Sequence, residues 1–258
     1  MFELNQRHFV DHTGQFDLAL VPWDTKLLGK PVAQLSNFVL KGETLSSASG
    51  RLLADWLVEN RIGLCATRVS QQSIIEIGCL QQLGFRFIEL NFNPLLKELR
   101  SGQFTTDHAV SIVDAETCDE PILRTMAQQA FPFGRFHQDH RIGAAIGNVR
   151  YGQWVSNSFE NLSQRCLKII VAGEIIGFFI IESPAKQKSY WSLTAIAPGV
   201  RGRSLGYRIW TSMLAWEAER GITVVETSIS SHNVPVMNLY VKLGFRFPPP
   251  SVTLHWMP

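Results

Sequence analysis

The stretch from Ser192 to Gly221 constrains the fold of this chain more than any other. It begins with an apolar run, Ser192-Leu-Thr-Ala-Ile-Ala-Pro198, that has strand character. A loop of small and basic residues follows, Gly199-Val-Arg-Gly-Arg-Ser-Leu-Gly206. Leu205, Ile209, Met213 and Trp216 then recur at helical spacing, with Trp210 and Leu214 beside them, until Gly221 stops the run. The first amides of a helix have no internal partners and carry the positive end of its dipole. A loop of small residues lets an anion approach them. Arg201 and Arg203 bring further positive charge to the same place. The alternative is an ordinary strand-to-helix turn with surface arginines. The loop has neither the Gly-x-x-x-x-Gly-Lys-Ser/Thr nor the Gly-x-Gly-x-x-Gly form of the commonest phosphate cradles.

A second signal lies downstream. Thr223-Val-Val-Glu-Thr-Ser-Ile229 is a β-branched run that reads as a strand. After Ser230-Ser-His-Asn233, residues Val234 to Leu243 read as a short helix, with Pro235 in its first turn and Gly244 at its end. Arg201-Gly202-Arg203-Ser204-Leu205-Gly206 resembles the pyrophosphate loop of the GNAT superfamily of N-acetyltransferases, Gln/Arg-x-x-Gly-x-Gly/Ala, with Ser204 where the family usually has Gly. Asn233 and Tyr240 resemble the family's Asn-x-x-Ala-x-x-Leu-Tyr, with Val236 in the Ala position, and Leu243-Gly-Phe245 completes its Tyr-x-Lys-x-Gly-Phe ending. The two motifs stand in the family's order.

The resemblance implies an α/β (α+β) GNAT fold, a mixed central β-sheet flanked by helices. It implies acetyl-CoA as cosubstrate. Thr194, Ala195 and Ile196 would bind pantetheine from a splayed strand, with the Ile196 N–H as oxyanion donor. Arg201, Gly202, Arg203, Ser204, Leu205, Gly206 and Tyr207 would hold the pyrophosphate, and Asn233 would bond pantetheine. Tyr240 would protonate the departing thiolate, since a phenol with a reference pKa near ~10 keeps its proton at neutral pH. The plainer readings stay open: Tyr240 as a core residue, and Asn233 as the cap of the helix it precedes.

At 258 residues the chain can hold one large domain or two small ones. A net charge of +2 gives no reason to expect nucleic acid or an anionic membrane as partner. No apolar run approaches the length that crosses a bilayer, and the first residues do not form a signal peptide. The four cysteines are scattered and make no Cys-x-x-Cys, which fits reduced thiols in a cytoplasmic protein. No cluster has metal-ligand spacing, so no metal is expected.

Leu83-Gly-Phe-Arg-Phe87 is identical to Leu243-Gly-Phe-Arg-Phe247, and each copy follows a short helix and starts a strand. The match suggests two related halves, or shared helix-stop chemistry alone. The first half has no pyrophosphate loop, and Leu80 stands where Tyr240 stands in the second. Residues 1–105 are therefore expected to be a degenerate GNAT-like half and 106–258 the catalytic domain, with the polar stretch Glu98–Asp107 as linker.

Trp23-Asp-Thr-Lys-Leu-Leu-Gly29, Leu80-Gln-Gln-Leu-Gly-Phe85 and Arg135-Phe-His-Gln-Asp139, with the Trp154 helix after it, resemble the sugar-nucleotide branch of the family. That branch acetylates the 4-amino group of dTDP-4-amino-4,6-dideoxy sugars, which implies a small-molecule amine, a sugar nucleotide, as acceptor. His140 stands where that branch has Pro. Arg135, His137 and Asp139 would meet the sugar diphosphate, because Arg pairs well with phosphate. The alternative is an Arg135–Asp139 pair across one helical turn. Glu182 and His137 are candidate general bases, Glu182 being equally readable as a solvated strand end. Another small amine or a peptide amine as acceptor, and a non-catalytic acyl-CoA-binding module, stay open. So does the oligomeric state, a homodimer included.

Overall fold

The computed structural model describes residues 6–200 and 205–258. The chain divides into two units, one running to Asn91 and resuming at Pro249–Pro258, the other Phe92–Pro248. The first contains β1 (Gln6–Val10), β2 (Gly14–Leu20), α1 (Pro22–Leu28), β3 (Val32–Leu40), α2 (Ser47–Glu59), β4 (Leu64–Ser70), α3 (Ile74–Gln82), β5 (Arg86–Phe92) and, from the far end of the chain, β13 (Ser251–Trp256). Its strands lie in the order β1-β2-β3-β4-β13-β5, with β13 antiparallel to both neighbours. Alternation puts Val252 and Leu254 of β13 into the core with Leu18, Leu35, Leu53 and Leu80.

The second unit contains β6 (Leu95–Leu96), β7 (Val110–Asp114), α4 (Glu120–Ala130), α5 (Arg135–Gln138), α6 (Ala144–Glu160), β8 (Gln164–Val171), β9 (Glu174–Ala185), β10 (Lys188–Ile196), α7 (Leu205–Glu219), β11 (Val224–Thr227), β12 (Ile229–Ser230) and α8 (Val234–Lys242). Its sheet runs β6-β11-β10-β9-β8-β7. Only β10 and β11 are parallel among these pairs, so the sheet is mixed. One face packs a cluster built on Ile209, Met213 and Leu214 of α7 with Tyr240 of α8. The other packs Leu123 and Ala127 of α4 with Val155 of α6. Ile209, Met213 and Leu214 are fully buried, each worth about 1.5–3 kcal/mol of transfer free energy.

The two units divide at 91/92 and 248/249 rather than at 105/106. The polar stretch after residue 98 misleads because its few apolar residues are anchors. Leu99 and Phe104 pack in the core of the second unit, and the Leu99 N–H donates to Thr223 O at 2.9 Å.

The repeated pentapeptide is a repeated structure. In both copies glycine takes a positive φ, +90° at Gly84 and +86° at Gly244. The Phe85 N–H reaches back to Leu80 O and the Phe245 N–H to Tyr240 O, each at 3.0 Å. These are the bonds that close a helix through a left-handed residue, which glycine adopts without a Cβ penalty. The strands before each helix correspond too. Val32–Leu35 pair in parallel with Leu64–Thr67, and Lys188–Trp191 with Val224–Thr227. Both units are thus built on one plan.

Candidate active site

The ladder between β10 and β11 ends at Trp191 and Thr227, whereas the ladder between β10 and β9 runs on to Ile196. The two parallel strands therefore part over the last residues of β10, as the sequence resemblance implied. Close passage of β9 and β10 requires Gly177, where a Cβ would stand 2.6 Å from Ala195 O. Alternation sends Leu193 and Ala195 into the α4/α6 core, while Ile196 packs with the α7/α8 cluster.

Four elements converge on the Tyr240 hydroxyl where the strands part. Tyr240 is on α8 and 2% exposed. Its hydroxyl lies beside the Trp210 indole N–H from α7, the Thr227 hydroxyl from β11 and the Thr194 hydroxyl from β10. Burial raises its pKa above the usual phenol value, and these three groups pull the other way. The Thr227 hydroxyl donates its own proton to Trp191 O at 2.8 Å. The Trp210 N–H is buried and makes no hydrogen bond of normal geometry. Tyr240 is thus both a core residue, its ring 4.8 Å from that of Phe245, and a polar one.

Arg201, Gly202, Arg203 and Ser204 lie outside the described residues. Leu205 opens α7 and buries its side chain in the core, so it can offer a ligand only its backbone. A Cβ built on Gly206 would meet nothing closer than Leu239 Cδ2 at 3.7 Å. Tyr207 is exposed, with Lys242 Nζ 4.5 Å from its ring centre. Asn233 occupies the cap position of α8 but makes no side-chain cap bond. The capping alternative for this residue is therefore not realised.

Arg135, His137 and Asp139 are divided in their roles. Asp139, 1% exposed, pairs with Arg141, which donates from Nε at 2.9 Å and Nη2 at 2.8 Å. That pair pins the turn between α5 and α6. His137 donates from Nε2 to Asn148 Oδ1 at 2.8 Å and lies over Gly147, where a Cβ would stand 2.4 Å from its ring. Its ring also stacks with Tyr151, at 5.9 Å. The Arg135 guanidinium lies 5.0 Å from the Phe136 ring, as does that of Arg150, which also covers Trp154. Glu182 lies within β9, not at its end, and accepts from Gln164 Nε2 at 2.8 Å.

Trp210, Thr227 and Arg150 were not singled out by sequence. Trp210 reads as one more apolar residue on a helix face. The only available signal is that a buried indole N–H usually finds an oxygen.

Residues 122–245 match the family model for the acetyltransferase (GNAT) family. The second unit is a domain of the GNAT acetyltransferase family. Solved GNAT structures extend the likeness across both units. A GCN5-related N-acetyltransferase from Sphaerobacter thermophilus is 12% identical, with a TM-score of 0.66 over 94% of this chain and 76% of that one. A tandem GNAT protein from the clavulanic acid biosynthesis pathway is 16% identical, with a TM-score of 0.58 over 95% of this chain and 79% of that one. At these identities the likeness speaks for the fold, two GNAT-like halves in tandem. Among curated proteins, the spore coat polysaccharide biosynthesis protein SpsD of Bacillus subtilis (strain 168) is 26% identical over 133 residues, 50% of this chain. The match spans 45% of that protein's length. Among the described residues, no helix is long and apolar enough to cross a membrane.

Proposed function

We propose that this protein transfers acetyl from acetyl-CoA to the amino group of a nucleotide-linked amino sugar. The observation that carries the reading is the Tyr240 hydroxyl, set beside Thr194 and Thr227 where β10 and β11 part. When bound, acetyl-CoA supplies the activated acetyl group. The parted edge of β10 fits pantetheine, which is itself a chain of amides. The Ala197 N–H donates to Ile176 O in β9 at 2.8 Å. Alternation of amides along an extended strand then turns the Ile196 N–H to the side that β11 leaves. In this reading it is the donor to the acetyl oxygen as that atom gains charge.

Arg201 to Gly206, with Tyr207 behind them, form the pyrophosphate cradle in this reading, and Asn233 offers its uncapped amide to pantetheine. Tyr240 holds the proton that the departing sulfur takes. Burial raises its pKa, so it is protonated at neutral pH. The amine loses a proton as the new C–N bond forms, so the transfer is proton-neutral overall.

The acceptor reading rests on the resemblance to TDP-fucosamine acetyltransferases and on the polysaccharide-biosynthesis relative. Arg135 is the proposed diphosphate contact, with Arg150 as a second cation flanked by Phe136 and Trp154. Asp139 serves that region by fixing Arg141. The first unit is proposed as the degenerate half and the second as the catalytic one.

The test is acetyl transfer from acetyl-CoA to a dTDP-4-amino-4,6-dideoxyhexose, followed by mass spectrometry, beside spermidine and a peptide with a free α-amine. Acetylation of the sugar nucleotide above the other two is expected. Preference for spermidine or the peptide would move the acceptor class. Acetyl-CoA binding with no transfer to any amine would favour a non-catalytic module.

A further inference from the structure

We infer that Thr227 is a positioning residue for the coenzyme, its hydroxyl clamping the last rung between β10 and β11 and so fixing where the two strands part. The inference rests on the proposed binding of pantetheine along the parted edge of β10.

The Thr227 hydroxyl donates to Trp191 O at 2.8 Å, and these two residues form the last rung of the parallel ladder. The Thr227 N–H faces the other way, to Pro94 O at 3.1 Å. Thr227 therefore reaches this carbonyl through its side chain. Directly after the rung, β10 carries a bulge. Trp191 pairs with Ile181 and Leu193 with Ile180, which leaves Ser192 as an extra residue. A bulge bends its strand and increases the local twist, so β10 swings away from β11 at this rung. The Ser192 hydroxyl donates to Ile180 O at 3.1 Å and keeps the bulged residue on β9. Trp191 is held from a second side as well, its indole N–H donating to Glu217 of α7 at 2.9 Å. A rung that borders such a swing is the first to fray, and the Thr227 hydroxyl gives its carbonyl a buried donor that water does not compete for.

The first unit has the same rung without the clamp. Its parallel ladder also ends on a threonine, with Leu35 opposite Thr67. The Thr67 hydroxyl is buried and has no hydrogen-bond partner among the described residues, while Leu35 O takes Gln34 Nε2 at 3.1 Å. The extra residue of β3 falls further on, between Ser36 and Val39. Within one chain, the threonine hydroxyl is engaged at the rung that borders the bulge, in the unit proposed to take the coenzyme, and idle in the other. A fixed opening matters because a ligand that must order the strands itself loses part of its affinity in doing so.

The test compares one substitution at the two rungs. Valine keeps the shape of threonine and removes the hydroxyl. By calorimetry, the Kd for acetyl-CoA is expected to rise about fivefold in Thr227→Val, the scale of one net hydrogen bond. Thr227→Ser, which restores a donor, should bind as the wild type does, and so should Thr67→Val. Thr227→Cys, whose thiol is a weak donor, should lie between and serves in place of Thr227→Val if that variant does not fold. A purely structural part would lower the Tm and leave the Kd of the folded protein where it was, and that result overturns the inference. An equal rise in Thr67→Val overturns it too. Amide hydrogen exchange reads the clamp without coenzyme. It should quicken across Lys188–Ile196 in Thr227→Val more than across β8, and a uniform change speaks against the clamp. A wild type that binds no acetyl-CoA sinks the coenzyme reading, and the inference with it.

Discussion

Asp11 accepts the Ser49 hydroxyl at 2.6 Å and thereby sets a carboxylate against the first turn of α2. The same carboxylate takes the Ser46 hydroxyl at 2.7 Å and the hydroxyl and N–H of Thr13. Hydrogen bonds from Ser49, Ser46 and Thr13, in that order, hold its pKa well below the usual carboxylate range. By the plan shared between the units, α2 stands where α7 stands in the GNAT domain. The first unit thus sets an anion of its own at the start of α2, the end that in α7 is proposed to face a pyrophosphate.

This leads to an expected stoichiometry of one coenzyme per chain. Isothermal calorimetry with acetyl-CoA checks it, and two sites per chain would contradict it. A cavity of about 360 Å³ lies beside Ser46, lined also by Arg51 and Gln82. A second anion there would have to bear the charge of Asp11. Asp11→Asn should lower the thermal stability of the protein and leave acetyl-CoA affinity at the GNAT domain unchanged.

Gly206 provides a test of the cradle. Its neighbours leave ordinary van der Waals room for a methyl group, so Gly206→Ala should fold and bind nearly as the wild type does. Gly206→Glu adds a carboxylate beside the proposed pyrophosphate place, and like charges at such range repel strongly in a partly buried site. The Kd for acetyl-CoA should rise at least about tenfold. Equal affinity for the Ala and Glu variants would place the coenzyme elsewhere.

Tyr240→Phe keeps the ring against Phe245 and removes the hydroxyl. A lost proton donor acts in the transition state, so kcat should fall by about 10²–10⁴-fold while acetyl-CoA affinity barely changes. Single-turnover kinetics should accompany the steady state, because slow product release could mask the loss. A wild-type rate for the chemical step would leave Tyr240 as a core residue.

Glu217 of α7 is 2% exposed and accepts the Ser189 hydroxyl at 2.5 Å and the Trp191 indole N–H at 2.9 Å. Burial raises its pKa, against those two hydrogen bonds and the nearby Arg220 and Arg165. A raised carboxyl pKa means the folded state holds a proton that the unfolded chain has released. The contribution of Glu217 to stability is thus greatest below its ordinary pKa of 4.5 and is lost as pH rises through the folded value. Glu217→Gln should therefore melt close to the wild type at pH 4 and above it at pH 8. Each kcal/mol gained would be worth about 2–4 °C in Tm for a chain of this size. Calorimetric melts at the two pH values check the sign, and a variant less stable at pH 8 than at pH 4, relative to wild type, would refute it.

Much of the second unit was legible because its signals are local. The helical spacing of Leu205, Ile209 and Met213 and the stop at Gly244 give α7 and α8 within a residue or two. Other elements hid for physical reasons. α6 begins at Ala144, ten residues before the Trp154 by which the sequence marks it. Gly147 and Gly152 lower the helix propensity of its first turns. Gly147 is there because the His137 ring occupies the space a side chain would need. α1 carried legible caps, Pro22 at its start and Gly29 at φ +66° after it, on a run too short to show periodicity. β13 follows three prolines and buries His255 and Thr253 as fully as Leu254, so its two faces do not read as core and solvent. The convergence of Trp210, Thr227 and Thr194 on Tyr240 could not be read at all, since it joins four elements through a hydroxyl.

The place of β13 between β4 and β5 sets an order of assembly. A ribosome makes β4 and β5 before the GNAT domain and the strand that belongs between them after it. Domains commonly fold in the order in which they emerge, and here that order is reversed. The GNAT domain, Phe92–Pro248, can close while the first unit still has a gap in the middle of its sheet. Until Ser251–Trp256 is made, β4 and β5 present unpaired backbone to whatever strand is near. Residues 249–258 thus act as a completion signal for the first unit, and damage to β13 should be felt first at β4 and β5.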